Sequence, residues 1–193
     1  MSQTVTLDID KAKVNIPLQM LLDQLAGNIT AKATVTNVPK IGEPWPGQGG
    51  VYAGVMRGHG GKPDYHLILA VDHRGQFKDL EWGERGVKIA GADDEWDGQA
   101  NTKAIFDAAG KFPAADAAAK VSIDGYNDFY LPSKRESALL YANLPERFEG
   151  CWHWTSTQVS AYNAAIQSFS NGDQLSYDKV DELRVRVVRR LTI

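Results

Sequence analysis

The segment 126–158 constrains the fold of this chain more than any other stretch. Ser133 and Glu136 have the spacing of a capping box, in which a hydroxyl and a carboxylate each bind one free amide at the start of a helix. The proline after the aromatic run 129–131 ends a short strand there. The sequence therefore predicts a strand at 129–131, followed at once by a helix over 133–141.

Two tryptophans in the same segment alternate as residues of a β-strand do. Trp152 and Trp154 are two positions apart, so both side chains point to one face of an extended chain. Thr155 and Thr157 point to the opposite face. Large aromatic side chains with a period of two indicate a buried sheet. We predict that four side chains share a single core around the short helix: Leu131, Leu140, Trp154 and Phe169.

Strand and helix signals alternate through the rest of 39–193. Asn171 and Gly172 form the strongest short-range hairpin signal in the sequence. The segment 76–89 is predicted to be a charged connection, and the arginines of 184–190 are predicted to lie on the solvated face of a terminal strand. Strands are predicted at 51–56, 65–71, 152–157, 164–169, 174–177 and 183–191, and helices at 100–110 and 114–120.

Residues 1–38 are predicted to form a separate strand–helix–strand segment. Residues 2–9 alternate apolar and polar side chains, Pro17 suits the first turn of a helix, and 30–38 is rich in β-branched residues. The helix would carry one apolar stripe, made of Leu18, Leu21, Leu22 and Leu25. A segment this small cannot bury a core alone, so it either completes the core of 39–193 or mediates docking and oligomerisation.

The composition restricts the classes of function. The chain of 193 residues carries a formal net charge of −3, which gives no field to attract duplex nucleic acid. No stretch approaches the ~20 apolar residues that span a bilayer. Cys151 is the single cysteine, and no phosphate-binding loop, nucleophile elbow or zinc-protease motif occurs. We therefore expect a non-enzymatic protein that binds neither nucleic acid nor a membrane.

Two groups of residues suggest metal sites, and neither fits one well. The run Asp93-Asp-Glu-Trp-Asp-Gly98 begins like a calcium loop, but Ala104 stands where that loop requires a bidentate glutamate. We predict a solvated turn at 93–98 and no metal or cofactor, with a looser calcium site near Asp93–Asp97 as the alternative. Three histidines recur every seven positions, which places neighbouring ones on opposite faces of a strand: His59, His66 and His73.

Four motifs of the C-terminal half occur in the order and spacing of a known family: Leu131-Pro-Ser-x-x-Glu136, Trp154-Thr-Ser-Thr157, Phe169-Ser-Asn-Gly172 and Arg184-Val-Arg-Val-Val-Arg189. In these motifs the chain resembles the C-terminal domain of bacterial collagen-like adhesins, the Lcl-type family, which is common in phage and prophage proteins. The resemblance implies an α+β, C-type-lectin-like fold with a mixed, mainly antiparallel sheet and two flanking helices. It covers 126–190 and extends more thinly back to about Gly49.

The resemblance carries no sugar site over, because the chain lacks the Glu-Pro-Asn or Gln-Pro-Asp tripeptide with which calcium-dependent lectins bind a sugar. The candidate site is instead a surface between 157 and 177, whose tyrosine, serine and asparagine content is typical of recognition surfaces. Related variable proteins of phages present this region to their receptors. The alternative is that these are ordinary polar residues on the outer faces of short strands. The predicted ligand-binding residues are Gln158, Tyr162, Asn163, Asp173, Gln174 and Tyr177.

We expect a receptor-binding protein on the tail or baseplate of a phage or prophage particle. Its partners would be a glycan or protein of the bacterial surface and other virion subunits, and the chain would form a homo-oligomer. The first ten residues have no basic start and no signal-like apolar run, so the virion is the expected location. The alternatives are a structural assembly protein that binds only virion neighbours and an intracellular phage protein that binds a host factor.

Overall fold

A computed structural model of the chain describes the backbone of residues 4–9 and 12–17 and all atoms of residues 38–70 and 73–193. The contacts divide the chain into two compact units, Met1–Asn37 and Val38–Ile193. The sequence placed the boundary one residue later, between 38 and 39. No helix in the described part is both long and apolar enough to cross a membrane.

The described part of the first unit is a β-hairpin. Strand β1 (Thr4–Ile9) pairs in antiparallel fashion with β2 (Ala12–Pro17), and Ile9 lies opposite Ala12. The strand predicted at 2–9 is therefore confirmed over Thr4–Ile9, and Pro17, which was predicted to suit the first turn of a helix, is the last residue of a strand. The sequence before this proline alternates with period two, which is a strand pattern. The helix predicted over Leu18–Leu25 lies outside the described residues.

The unit Val38–Ile193 is α+β, with two sheets and three α-helices among its described residues. The strands are β3 (Pro44–Trp45), β4 (Gly50–Met56), β5 (Tyr65–Leu69), β6 (Gln76–Glu81), β7 (Trp152–Gln158), β8 (Asn163–Ser168), β9 (Gln174–Asp178), β10 (Glu182–Arg186) and β11 (Val188–Thr192). One sheet has the strand order β11-β5-β4-β3 and the other β6-β10-β7-β8-β9. All pairs are antiparallel except β10 with β7, which is parallel.

The three helices lie close to their predicted positions: α1 (Gly98–Asp107), α2 (Pro113–Ala119) and α3 (Lys134–Asn143). The predicted capping box is present at α3. Ser133 Oγ accepts from the Glu136 amide at 3.2 Å, and Glu136 Oε2 accepts from the Ser133 amide at 2.7 Å. The strand predicted at 129–131 is reduced to one bridge between Tyr130 and Val188.

The apolar side chains form two clusters, not the single core that the sequence predicted. Leu131 and Trp154 belong to the first cluster, which α1, α2 and the five-stranded sheet share. Leu140 and Phe169 belong to the second, which lies between α3 and the four-stranded sheet. The prediction was right about burial and wrong about a shared core, because β7 is buried on both faces: Trp154 packs in the first cluster, whereas His153 contacts Phe148 and Phe169 beside the second.

Two further predictions are corrected by the pairing of distant strands. The segment 76–89 is not only a connection, since β6 pairs with β10 at its start. The strand predicted at 183–191 is divided at Val187, after which the chain passes into the other sheet. Val187 accepts from the Ala70 amide at 3.1 Å and donates to Gly75 O at 3.1 Å, so its backbone belongs to neither ladder.

Two of the four arginines in this last segment are buried instead of lying on a solvated face, and Arg184 and Arg190 are half-buried. Arg186 is buried and donates to Arg147 O at 2.7 Å and to Ala70 O at 2.9 Å. Arg189 is buried as well and is held by Asp128 at 2.8 Å. Carbonyl and carboxylate oxygens thus replace the water that these guanidinium groups lose, which is the condition for burying a charge.

Candidate functional site

The predicted recognition residues lie on and around the β8–β9 hairpin. In its register Ala164 lies opposite Tyr177 and Gln167 lies opposite Gln174. The turn predicted at Asn171–Gly172 is confirmed, and Gly172 adopts a φ of 85°, which suits glycine. The β9 strand is the last in its sheet, so one long side of the hairpin faces away from the other strands.

The six predicted residues are not all brought together. Tyr162 and Asn163 lie at one end of the hairpin, near Tyr177, whereas Asp173 and Gln174 lie at the turn. Five residues of extended strand separate the two ends, a span of about 16 Å. The hairpin therefore presents two separate groups instead of one continuous site.

Gln158 was wrongly predicted to bind a ligand, because it is only 2% exposed. Its Nε2 donates to Ile89 O at 3.0 Å, and its Oε1 accepts from the Ile89 amide at 3.0 Å. Lys179 Nζ donates to the same Oε1 at 2.7 Å. The side chain therefore links β7 to the loop that contains Ile89 through buried hydrogen bonds.

Lys179 is itself a buried cation next to the Gln158 side chain. Its Nζ donates to Val87 O at 2.6 Å and lies 4.6 Å from the centre of the Trp82 ring. Burial lowers the pKa of Lys179 to about 8. The lysine ties the end of β9 to a distant loop, and this support fixes the position of the surface next to it.

Gln174 and Asp173 also make bonds within the fold. Gln174 Nε2 donates to Lys134 O at 2.7 Å and to Gln167 Oε1 at 2.8 Å, which joins the hairpin to the start of α3. Asp173 is exposed, and its Oδ2 accepts from Asn171 Nδ2 at 2.6 Å. The turn end of the hairpin is therefore held by bonds within the fold, and of these two residues only Asp173 is exposed.

The Tyr162 end offers a more accessible surface. Tyr162 is 52% exposed, and its ring lies 5.2 Å below the guanidinium of Arg85. Arg85 Nε donates to Asp178 Oδ2 at 2.7 Å, and this bond lowers the pKa of Asp178. Ser160 Oγ accepts from the amides of Tyr162 and Asn163, both at 3.0 Å. The aromatic ring is thus held in place while most of it faces solvent.

Three apolar residues of this region were not predicted from the sequence: Val159, Leu175 and Val180, which are 58%, 55% and 44% exposed. Recognition residues were predicted from polar and aromatic residue types, and this criterion leaves out aliphatic side chains. An apolar residue within a short polar strand would have been a usable signal for Leu175 at a sheet edge. Arg85 had no local signal, because it lies 93 positions from the Asp178 carboxylate it binds.

The aromatic surface continues along the hairpin through Tyr177. Its ring lies 5.8 Å from that of Trp152 at a tilt of 40°, and both residues are half-buried. Trp152 packs in turn against the first apolar cluster. Tyr177 is therefore supported from below and can contact a partner with only part of its ring.

The turn at 93–98 is built differently from the solvated turn that was predicted. Asp97 is buried, caps α1 by accepting from the Ala100 amide at 2.9 Å, and pairs with Lys62 at 2.6 Å. Burial disfavours the charged form, but Lys62, the Ala100 amide and Arg190 outweigh it and lower the pKa of Asp97. Among the described residues, no group of three or more His, Cys, Asp or Glu side chains is arranged to hold a metal ion.

A groove of about 630 Å³ lies away from the hairpin, along α2 and β6. It shares no residue with the predicted set, which lies on a surface of strands and loops. A surface of this kind suits contact with a macromolecule better than enclosure of a small ligand. The groove is lined by Arg74, Phe77, Lys111, Pro113, Asp116, Ala117, Lys120, Val121 and Ser122.

A scan of the sequence against protein-family models finds no match, and a search of curated proteins finds no similar sequence. The functional proposal below therefore depends on the geometry of the hairpin and on the sequence motifs described above.

Proposed function

We propose that this chain is a non-enzymatic binding module with a C-type-lectin-like fold, carried on the tail or baseplate of a phage or prophage particle. It recognises a glycan or protein of the bacterial surface through the Tyr162 end of the β8–β9 hairpin. The first unit, Met1–Asn37, attaches the module to other virion subunits or to further copies of the chain. The resemblance to the Lcl-type family supports the setting, and the hairpin supports the mode of binding.

The observation that carries the proposal is the concentration of exposed apolar side chains in one short stretch. Nine large hydrophobic residues are exposed among those described, and four of them fall between 159 and 180. Clustered exposed apolar residues mark interaction sites, whereas scattered ones need no explanation. Val159, Tyr162 and Val180 lie at the Tyr162 end of the hairpin, whereas the fourth, Leu175, lies opposite Ile166 and nearer the turn.

The chemistry of this end suits recognition of a sugar ring or a protein loop. The exposed face of Tyr162 offers a flat apolar surface at a low cost in side-chain entropy. Arg85 over the ring and Asn163 next to it in sequence add polar groups for hydrogen bonds. Val159 and Val180 widen the apolar contact around the ring. An anchor of this composition is typical of residues that dominate the binding energy of an interface.

The test is attachment of labelled protein to whole cells of the bacterium that hosts the phage or carries the prophage. Tyr162→Ala should weaken attachment by about thirtyfold, because loss of a tyrosine anchor costs about 2 kcal/mol or more. Its melting temperature should stay unchanged, since exposed substitutions shift stability by only about 0.5 kcal/mol. A Tyr162→Ala, Tyr177→Ala variant should lose attachment further.

The matched control is Phe106→Ala, which removes an exposed aromatic ring from α1, away from the hairpin. This variant should attach as the original protein does. If Tyr162→Ala attaches equally well, receptor recognition by this end of the hairpin is wrong. The structural assembly function would then be the better proposal, and the open edge of β9 favours it specifically.

A further inference from the structure

The β9 strand has an open edge. It is the outermost strand of its sheet and pairs only with β8 among the described residues. The direction of its backbone groups follows from two flanking bonds: Ser168 donates to Asp173 O at 2.9 Å, and Lys179 donates to Tyr162 O at 2.9 Å. Because the groups alternate along a strand, the odd-numbered residues of β9 face β8. The even-numbered ones, Gln174, Ser176 and Asp178, face outward.

The usual protections against edge pairing are missing from β9, although Asp178 O at its end also accepts from the Asp181 amide at 2.9 Å. Native edges are usually blunted by lysine, proline, a bulge or a twist of the backbone. The opposite edge of the same sheet, β6, has such features: it contains Lys78, its Asp79 has a φ of 54°, and its register with β10 is irregular. The β9 strand is regular, contains no lysine or proline and exposes Leu175.

We propose that β9 pairs in antiparallel fashion with β9 of a second copy of this chain, about a two-fold axis at Ser176. An axis at this position needs a residue whose amide and carbonyl both face outward, and Ser176 meets that condition. The two copies of Ser176 then exchange both hydrogen bonds. Leu175 lies opposite Tyr177 of the second copy, and Gln174 lies opposite Asp178 of the second copy.

The sequence of β9 is complementary to itself in this register. Leu175 and Tyr177 lie on one face of the strand, so each copy covers the exposed leucine of the other with an aromatic ring. No like charges are opposed, because Asp178 is paired with Arg85 and faces an uncharged glutamine. The pairing joins two five-stranded sheets into one of ten strands and closes both open edges.

The proposed dimer shares Leu175 and Tyr177 with the hairpin surface but leaves the Tyr162 end free, and it would alter the strength of receptor recognition. The axis passes through the middle of β9, whereas Tyr162 lies at the end of the hairpin. Two copies of the Tyr162 end would therefore stay accessible on one dimer. Two linked sites raise the apparent affinity for a repetitive surface such as a cell envelope without any new contact.

The register can be tested by cross-linking the full chain. In the pairing, the Cα atoms of the two Ser176 residues lie about 5.5 Å apart, within the range for a disulfide bond. In a Cys151→Ser background, Ser176→Cys should form a covalent dimer under mild oxidation. Ser122→Cys, at an exposed serine outside β9, should stay monomeric on a denaturing gel. Equal cross-linking of the two variants, or none in either, would overturn the proposal.

A second variant separates edge pairing from association through another part of the chain. Ser176→Pro removes an outward amide and leaves the bonds to β8 intact, because a proline is tolerated on the free side of an edge strand. It should halve the weight-average mass in sedimentation equilibrium, with an unchanged melting temperature. Ser176→Ala keeps the amide and should keep the original mass. An unchanged mass in Ser176→Pro would overturn self-pairing through β9, whatever its effect on cell attachment.

Discussion

At the residue scale, this domain depends on buried polar side chains whose partners are mostly backbone oxygens. Arg186 illustrates the cost, because burial lowers its pKa to about 10 and its Nε has no hydrogen-bond partner. The guanidinium lies 5.0 Å from the centre of the Phe148 ring. His153, on the adjacent strand β7, packs against the same ring, so cation and imidazole share one apolar neighbourhood.

Protonation of His153 should make the domain sensitive to acid. Its ring packs against Phe148 and Phe169, its Nδ1 donates to Cys151 O at 3.2 Å, and burial lowers its pKa to about 4. Between pH 6.5 and pH 4 the unfolded chain binds the proton more readily than the folded one. Stability is therefore lost as the pH falls through this window, by up to about 3 kcal/mol.

The measurement is urea unfolding of the original protein and His153→Phe at several pH values from 7 to 4. Carboxylates with lowered pKa values add their own acid sensitivity to both proteins, so the difference between the two curves isolates the histidine. Cys151 O keeps a donor in the variant, because it also accepts from the Phe169 amide at 3.1 Å. A difference that stays constant across the range would contradict the prediction.

Trp154 is the side chain whose removal should be most costly in the first cluster. It is 1% exposed, and its Nε1 donates to Leu80 O at 2.8 Å. Trp154→Ala should lower the free energy of unfolding by about 3–5 kcal/mol, the range for deletion of a large aromatic core side chain. Calorimetry of this variant checks the value, with Phe106→Ala as the exposed aromatic control. A melting temperature within a degree or two of the original would contradict it.

At the scale of elements, one carboxylate joins the starts of two helices. Glu136 Oε2 accepts from the amides of Ser133 at α3 and of Gly98 at α1, at 2.7 and 3.2 Å. Its Oε1 accepts from the hydroxyls of Tyr65 and Tyr130, both at 2.7 Å. Burial raises the pKa of Glu136, and the hydrogen bonds from Ser133, Tyr65 and Tyr130 oppose that shift. Two helix N-termini next to the group also favour its ionised form.

Loss of this carboxylate should therefore cost more than loss of an ordinary cap. Glu136→Ala removes the acceptor of four donors, of which the Tyr65 hydroxyl keeps Trp96 O at 3.4 Å, so we expect a loss of about 3–5 kcal/mol, compared with about 1 kcal/mol for a typical cap. The cost of Glu136→Gln should lie between these two values, because the amide nitrogen of glutamine cannot accept from two of the donors. Chemical denaturation measures both, with the exposed Glu146→Ala as control. A cost near 1 kcal/mol for Glu136→Ala would show that capping is its only role.

Elements with a local signal were predictable from the sequence, and those defined by distant partners were not. Ser133 and Glu136 fix the start of α3 within four residues, and Gly172 supplies the positive φ of its turn, so both elements were found. The β6 strand exists because β10 pairs with it across about a hundred residues, which no local pattern reports. The fold class needed only the local signals, whereas the split at Val187 needed the tertiary structure.

The same distinction applies to the candidate site. The exposure of Tyr162 was predictable, because it follows a strand in a stretch of small polar residues. Gln158 belongs to the same polar stretch, yet its side chain is buried because it binds the backbone of Ile89, 69 positions away. A polar side chain at a strand end can meet solvent or a distant backbone group, and the sequence alone does not distinguish the two.

At the scale of the whole molecule, the first unit is the part whose stability we expect to depend on a partner surface. A two-stranded hairpin such as β1–β2 is at best marginally stable alone in water. The leucines at 18, 21, 22 and 25 have the spacing of one helix face, and a helix that short is also marginal without a surface to cover it. We therefore expect residues 1–37 to associate with other copies of the chain or with a larger particle.

Truncation tests this expectation. A chain of residues 38–193 should remain soluble and cooperatively folded, because the described members of both apolar clusters lie within it. The number of chains per particle, measured by light scattering, should be lower than for the full chain at equal concentration, since one of two association sites is lost. Combining the truncation with Ser176→Pro should give a monomer, because no association site then remains. If the full chain is already monomeric and the truncated chain is insoluble, residues 1–37 complete the core instead, and their role in assembly is wrong.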